Sequence, residues 1–160
     1  MPDLDPRLHF VAVTAIIVKD GKFLITKRSP TEKAFPNKWT VPGGKFVLTE
    51  YQHLPRTSST HPQWYNVVEY VLNKEVKEEV GLEIEKPQYL TDLVFVRPDG
   101  YPVATLSFWA RYKGGEVVLS KDLTNYAWVT AEEAVGYDLI EGIREEIGDV
   151  SSILNGRQGN

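Results

Sequence analysis

The spacing of apolar residues changes several times along the chain, and each change marks an element. HFVAVTAIIV, residues 9 to 18, is a run of β-branched and aromatic types, and Asp20-Gly21 leads into a second such run, KFLITKR at 22 to 28. Two runs joined by a tight Asp-Gly turn predict a β-hairpin. After the turn-rich connector SPTEKAFPNKW, Thr40-Val41 meets Pro42-Gly43-Gly44, which ends regular pairing and permits backbone angles closed to other residues. A polar segment spans Thr49 to Pro62. Within it, Thr60-His61-Pro62-Gln63 has the form of a capping box, and helical spacing then runs to Val80 with Gly81 as the C-terminal cap. A helix over roughly 62 to 80 is therefore expected.

Farther on, QYLTDLVFV at 88 to 96 and YPVATLSFWARY at 101 to 112 flank Arg97-Pro98-Asp99-Gly100, which predicts a second hairpin. Gly114-Gly115 turns the chain into EVVL. Asn125 to Val129 reads as a last short strand, Thr130-Ala131-Glu132-Glu133 starts a short helix by the capping-box pattern, and Ala134 to Ile147 has helical spacing. The closing SSILNGRQGN is expected to fray. No repeat or low-complexity linker occurs, and strands and helices interleave throughout. The pattern predicts a single domain over residues 1–160, mixed α+β, built as an α/β/α layered sandwich.

Composition narrows the function classes. The chain has 160 residues, 18 Lys plus Arg against 22 Asp plus Glu, and no Cys. A core can form without staples at this length, and neither a disulfide framework nor a thiolate zinc site is possible. The net charge of −4 with no basic stripe argues against a nucleic-acid polymer as partner. Phe10 to Val18, the longest apolar stretch, is broken by Thr14 and is far short of the ~20 residues that cross a bilayer. MPDLDPRLHF lacks the basic-then-apolar order of a signal peptide. A cytoplasmic, reducing setting is the expectation.

The chemistry concentrates in Lys74-Glu75-Val76-Lys77-Glu78-Glu79-Val80-Gly81-Leu82. Glu75, Glu78 and Glu79 fall at i, i+3 and i+4, inside an arc of about 100° on one helix face. Like charges at that spacing repel, and these three continue the apolar stripe of Val67, Val68, Val71 and Leu72, so they lie on or beside the buried side. Carboxylates there need cations. Lys74 reaches the edge of the cluster, Lys77 points away, and one lysine cannot neutralise three carboxylates. A hard divalent ion with oxygen ligands, Mg²⁺ or Mn²⁺, is the natural partner. Upstream, the Pro-Gly-Gly corner can bring bare backbone close to a metal or phosphate.

These residues resemble the Nudix hydrolases, whose signature is G-x5-E-x7-R-E-U-x-E-E-x-G-U with U aliphatic. Gly44 with Glu50 satisfies the first part, and Glu75 through Leu82 the last. Lys27-Arg28, the approach Trp39 to Gly44 and the late Tyr126 to Thr130 with Glu132-Glu133 are also similar, so the resemblance covers roughly residues 8 to 147. Two features depart from the family. Lys74 stands in the Arg position, keeping the charge and losing the bidentate fork. Between Glu50 and Lys74 lie 23 residues where the family has 7, a 16-residue insertion over 51–66 that holds His53, Arg56, His61 and Trp64. Counting forward from Gly44 places Glu50 in the motif's first Glu position; counting back along the helix places Asn66 there. Glu50 is preferred.

The resemblance implies hydrolysis of a nucleoside diphosphate linked to another group X. Glu78 and Glu79 would be metal ligands together with a Gly43 or Gly44 carbonyl, Glu75 a ligand or orienting base, and Lys74 the residue that steadies the cluster. His9, His53 and His61 are not needed as ligands. Arg28 and Asn125 are candidates to contact phosphate or base, and Trp39 and Tyr101 to stack on a base, with Phe95 assigned to the core. The alternative function is a non-catalytic nucleotide-sensing module on the same fold. A calcium-binding domain is disfavoured because no Asp-rich loop occurs. The partner is a small-molecule nucleotide, and a homodimer is open to either the first hairpin or the insertion.

Overall fold

Asp20 and Gly21 take positive φ angles of 51° and 75°, the left-handed pair that a two-residue primed turn needs. They join β1 (Phe10–Lys19) to β2 (Lys22–Arg28) as the sequence predicts. The two strands pair only at Val18↔Phe23 and Lys19↔Lys22 and then part. β3 (Trp39–Thr40) pairs with the diverging part of β2, and β4 (Gly43–Lys45) pairs with β1 at Ala12 to Thr14. The glycine corner therefore does not end regular pairing as expected: Gly43 and Gly44 pair with Thr14 and Val13 of β1 in the space left where β1 and β2 part.

The rest of the sheet grows outward from this split. After β5 (Glu83–Ile84), the second hairpin is β6 (Gln88–Val96) and β7 (Pro102–Gly114), and β7 runs parallel to β1 from Phe10↔Val103 to Val18↔Arg111. β8 (Leu123–Val129) pairs antiparallel with β2. The outcome is one mixed eight-stranded sheet, ordered β3-β2-β1-β7-β5 with β4, β6 and β8 attached to β1, β7 and β2.

Alternation along β1 divides the core in two. Val13, Ala15 and Ile17 pack with Val71, Leu72, Val76 and Val80 of α2 (Val67–Val80), preceded by the single-turn α1 (Leu48–Tyr51). On the opposite face Ile16 and Val18 pack with Phe23, Ile25 and Trp109 under Ile143, Ile147 and Val150 of α4 (Ile143–Gln158). This is the predicted α/β/α sandwich. The computed structural model describes residues 3 and 5–158, with side chains through Gly156. Met1, Pro2 and Leu4 of the stretch read against a signal peptide, and Gly159 and Asn160 of the tail, lie outside the described residues.

Several expected boundaries move. The helix predicted from 62 starts at Val67, because Thr60 does not cap it. Thr57 instead closes the excursion onto Gln63 by bonds of 2.9 and 3.1 Å to its carbonyl, while Thr60 turns to His61 at 3.0 Å, and Asn66 enters the helix in the left-handed conformation. Ala134 to Ile147 is not one helix. α3 (Ala131–Ala134) stops after a turn, Leu139 bridges Trp39, and α4 starts after Gly142 at φ 96°. The tail expected to fray is helical to Gln158, since Val150 is fully buried and Ile153 and Leu154 pack on the α4 core. Phe95, assigned to the core, is on β6 and 38% exposed.

The capping box at α3 is as read: Thr130 Oγ1 accepts from Glu133 N at 3.1 Å and Glu133 Oε1 accepts from Thr130 N at 3.3 Å. Thr130→Ala is expected to cost about 1 kcal/mol in urea unfolding and leave turnover unchanged.

Candidate active site

α2 presents Lys74, Glu75, Glu78 and Glu79 toward the split that holds Gly43 and Gly44, and α1 adds Glu50. Lys74 Nζ lies 2.7 Å from Glu78 Oε1 and 3.7 Å from Glu50 Oε2. Glu50 thus reaches the cluster despite the insertion. The reason is local: α1 is complete before the excursion departs, and the excursion is tied back by Trp64 Nε1 donating to the Leu54 carbonyl at 2.9 Å and by the edge-on Tyr51–Trp64 pair. Asn66, the other candidate for that position, is an exposed helix cap two turns upstream of Lys74.

The glycines fit this cluster by contact. A Cβ built on Gly44 would overlap the Glu75 carboxyl group, and one on Gly43 would overlap the Val13 carbonyl oxygen. Gly43 N–H donates to Glu79 Oε2 at 3.3 Å. Burial pushes the Glu79 carboxyl up to about 7 against the pull of that hydrogen bond, with the Glu75 charge adding to the rise. Burial also raises Glu75, helped by the Glu50 and Glu78 charges, while the Glu78 carboxylate holds Lys74 above the ordinary lysine range.

The sign of the Glu79 effect on stability follows. Its folded pKa is above the unfolded value of about 4.5, so the fold favours the protonated form. That contribution is complete below pH 4.5 and lost as pH rises through about 7. In EDTA, unfolding free energy should fall by roughly 2 kcal/mol between pH 5 and pH 8 from this group, and Glu79→Gln should remove that part of the decline. Urea titrations of both proteins at the two pH values check it.

Among the described residues no three acidic or histidine side chains are already gathered round one point. Lys74 draws Glu78 outward, and Glu79 is turned onto Gly43. The donor set nevertheless suits a hard divalent cation: three carboxylates stand on adjacent turns of α2, Glu50 of α1 approaches them through Lys74, and the Gly43-Gly44 backbone faces Glu75 and Glu79. In addition, Glu50 Oε2 is buried with no hydrogen-bond partner among the described residues.

Beside the cluster lies a cleft of about 320 Å³ whose wall includes Thr14, Arg28, Glu32, Gly43, Gly44, Glu79, Thr105 and Asp122. Arg28 is committed to Glu32 Oε2 at 3.2 Å and to the Ala34 carbonyl at 2.9 Å, and still places its charge near Glu79. None of the other three candidates lines that cleft. Trp39 meets Tyr137 edge-on at 4.8 Å, Tyr101 packs on Phe10 at 5.3 Å, and the exposed Asn125 accepts from Tyr126 N. A larger cavity of about 630 Å³, between the β1–β2 turn and α4, holds none of the proposed ligands. Thr14, Thr105, Glu32 and Asp122 escape sequence reasoning. Only Thr14 leaves a trace, as the one polar residue interrupting the apolar run of β1.

Comparison with known proteins places the chain in a family. The NUDIX domain pattern matches residues 8–149. The nucleoside triphosphatase NudI of Escherichia coli is 25% identical over 146 residues, covering 84% of this chain and 92% of the relative. The crystal structure of a MutT protein from Methanosarcina mazei superposes with a TM-score of 0.69 at 24% identity, over 95% of this chain and 99% of that one. The MutT NUDIX hydrolase of Burkholderia pseudomallei gives the same TM-score at 22% identity, over 90% and 99%. The chain belongs to the NUDIX domain family and is a Nudix hydrolase.

Proposed function

We propose that this protein cleaves the diphosphate linkage of a nucleoside diphosphate joined to a further group, with Mg²⁺ or Mn²⁺ held by Glu75, Glu78, Glu79 and a Gly43 or Gly44 carbonyl. The observation that carries the reading is the packing of the Glu75 and Glu79 carboxylates directly onto the side-chain-free Gly43-Gly44 backbone. A divalent ion bound there would offset the charge of a diphosphate and lower the pKa of a coordinated water.

The chain's own residues supply the rest. Glu75, packed against the Gly44 backbone, is placed to ligate the metal or to orient the attacking water. Glu50, at the rim with an oxygen free to accept, is a second group able to orient water. Lys74 spaces the carboxylates by bonding Glu78. Arg28, at the cleft wall, offers positive charge to a phosphate once it leaves Glu32.

The name of the 25% identical relative, a nucleoside triphosphatase, puts nucleoside triphosphates first among substrates to try, followed by ADP-ribose and sugar nucleotides. Turnover of this panel with Mg²⁺, with Mn²⁺ and in EDTA is the test. Release of a nucleoside monophosphate only when metal is present is expected; no turnover of any member with either ion would overturn the proposal.

A further inference from the structure

α1 is too short to hold Glu50 in place unaided. It is a single turn with no buried residue and no side-chain bond at its N-cap, and Val47 and Leu48 at its start are largely exposed. Turns this short are unstable alone, because the first turn orders three residues for one hydrogen bond. The charge it carries adds to the cost. Glu50 and Glu75 repel each other, Lys74 Nζ bonds Glu78 at 2.7 Å and stays 3.7 Å from Glu50, and Glu50 Oε2 is buried without a hydrogen-bond partner among the described residues. Left to itself, this carboxylate would turn out to water.

The 51–66 excursion opposes this. Tyr51, next to Glu50, meets the rings of Phe46 and Trp64 at centroid distances of 6.2 and 5.7 Å. Phe46 and Tyr51 in turn pack on the core between the sheet and α2. Trp64 returns from the far end of the excursion to make its contact, and its Nε1 donates to the Leu54 carbonyl at 2.9 Å, just past α1. Two further ties close the loop. Thr57 bonds the Gln63 carbonyl through both N–H and Oγ1, and the Tyr70 hydroxyl of α2 lies 3.3 Å from His53 Nε2. The tip, Ser58 to His61, bonds within itself. A compact loop packed by its own side chains is a structural part, and its aromatic end grips the residue beside Glu50.

We propose that the excursion is a clamp and that Trp64 is a positioning residue for the hydrolytic reaction. Bearing on Tyr51 and closing on Leu54, Trp64 keeps α1 folded and so keeps the Glu50 carboxylate at the cluster, where it orients water. The inference rests on the diphosphate reading for the role of Glu50, and it gives the inserted residues a task in that chemistry. A group that acts by orientation loses rate when its support loosens by a fraction of an ångström, while substrate affinity, set by other contacts, stays.

Amide exchange in EDTA reads the clamp without metal or substrate. The N–H groups of Glu50, Gln52 and Leu54, bonded to the Val47, Leu48 and Tyr51 carbonyls, should exchange at least about tenfold faster in Trp64→Ala, with those of β1 unchanged. Steady-state kinetics on the best substrate of the nucleotide panel reads the consequence. Trp64→Ala should lower kcat about tenfold and leave KM within about twofold. Trp64→Phe, which keeps a ring against Tyr51, should hold kcat within about threefold, and His61→Ala at the tip should match the parent. In Glu50→Gln, adding Trp64→Ala should cost less than about twofold, because the position it secures no longer matters; a tryptophan with a merely structural role would multiply the two losses. Tyr51→Leu, which removes the ring that Trp64 bears on, runs the same readings if Trp64→Ala does not fold. Unchanged α1 exchange, a kcat within about twofold of the parent, or multiplied losses would each overturn this inference and leave the hydrolase reading standing. No turnover by the parent would overturn the hydrolase reading and the role of Glu50 with it, and α1 exchange would still decide whether Trp64 holds the turn.

Discussion

Glu79→Gln is expected to lower kcat for Mg²⁺-dependent hydrolysis by about 10²- to 10³-fold while the fold survives. The substitution preserves the hydrogen-bonding oxygen that meets Gly43 N–H at 3.3 Å and removes the charge. It also removes the burial cost that pushes Glu79 up to about 7, so the metal-free variant should be at least as stable as the parent at pH 8. A loss of rate together with equal or higher stability can only be chemical. Steady-state kinetics alongside urea unfolding at pH 8 separates the two. A variant that keeps more than about a third of the parental kcat would remove Glu79 from the centre.

The two glycines should respond differently to alanine. At Gly44 the new methyl group would meet the far end of the Glu75 side chain, which can swing away. Gly44→Ala should therefore cost about 1 kcal/mol or less in stability while moving a proposed ligand and cutting turnover by about 10²-fold. At Gly43 the methyl group would meet the Val13 carbonyl oxygen and stand 2.9 Å from Thr14 Cγ2. Backbone cannot rotate out of the way, so Gly43→Ala should open the pairing of β4 on β1 and cost roughly 2–3 kcal/mol. Denaturant midpoints and kcat for the pair check this. Similar stability losses in both would contradict the assignment of Glu75 to the Gly44 surface.

Much of this architecture is visible in the sequence where signals are local. Runs of β-branched and aromatic residues meeting at Asp20-Gly21 mark the first hairpin, and Gly81, left-handed at φ 74°, ends α2 where its pattern ends. Long-range contacts account for what the sequence hides. Trp39 takes hydrogen bonds with Asp138 and Ile140 and so interrupts what reads as a continuous helix. The last residues are helical because Val150, Ile153 and Leu154 find a core that no local pattern announces. The carboxylate helix is legible because Glu75, Glu78 and Glu79 lie within two turns. Whether Glu50 belongs to it depends on an excursion whose closure by Trp64 only the fold reveals. Thr14 and Ser107, 93 residues apart, meet at 3.3 Å because β1 and β7 pair in parallel, and nothing in their spacing brings them together.

On the proposed reading this helix and glycine corner hold a divalent metal for hydrolysis. Titrating the nucleotide-free protein with Mn²⁺ at pH 8, followed by water-proton relaxation, addresses it most directly. Mn²⁺ is expected to bind, to be competed away by Mg²⁺ and to bind at least about tenfold more weakly in Glu79→Gln. Equal binding by the parent and the variant would contradict it.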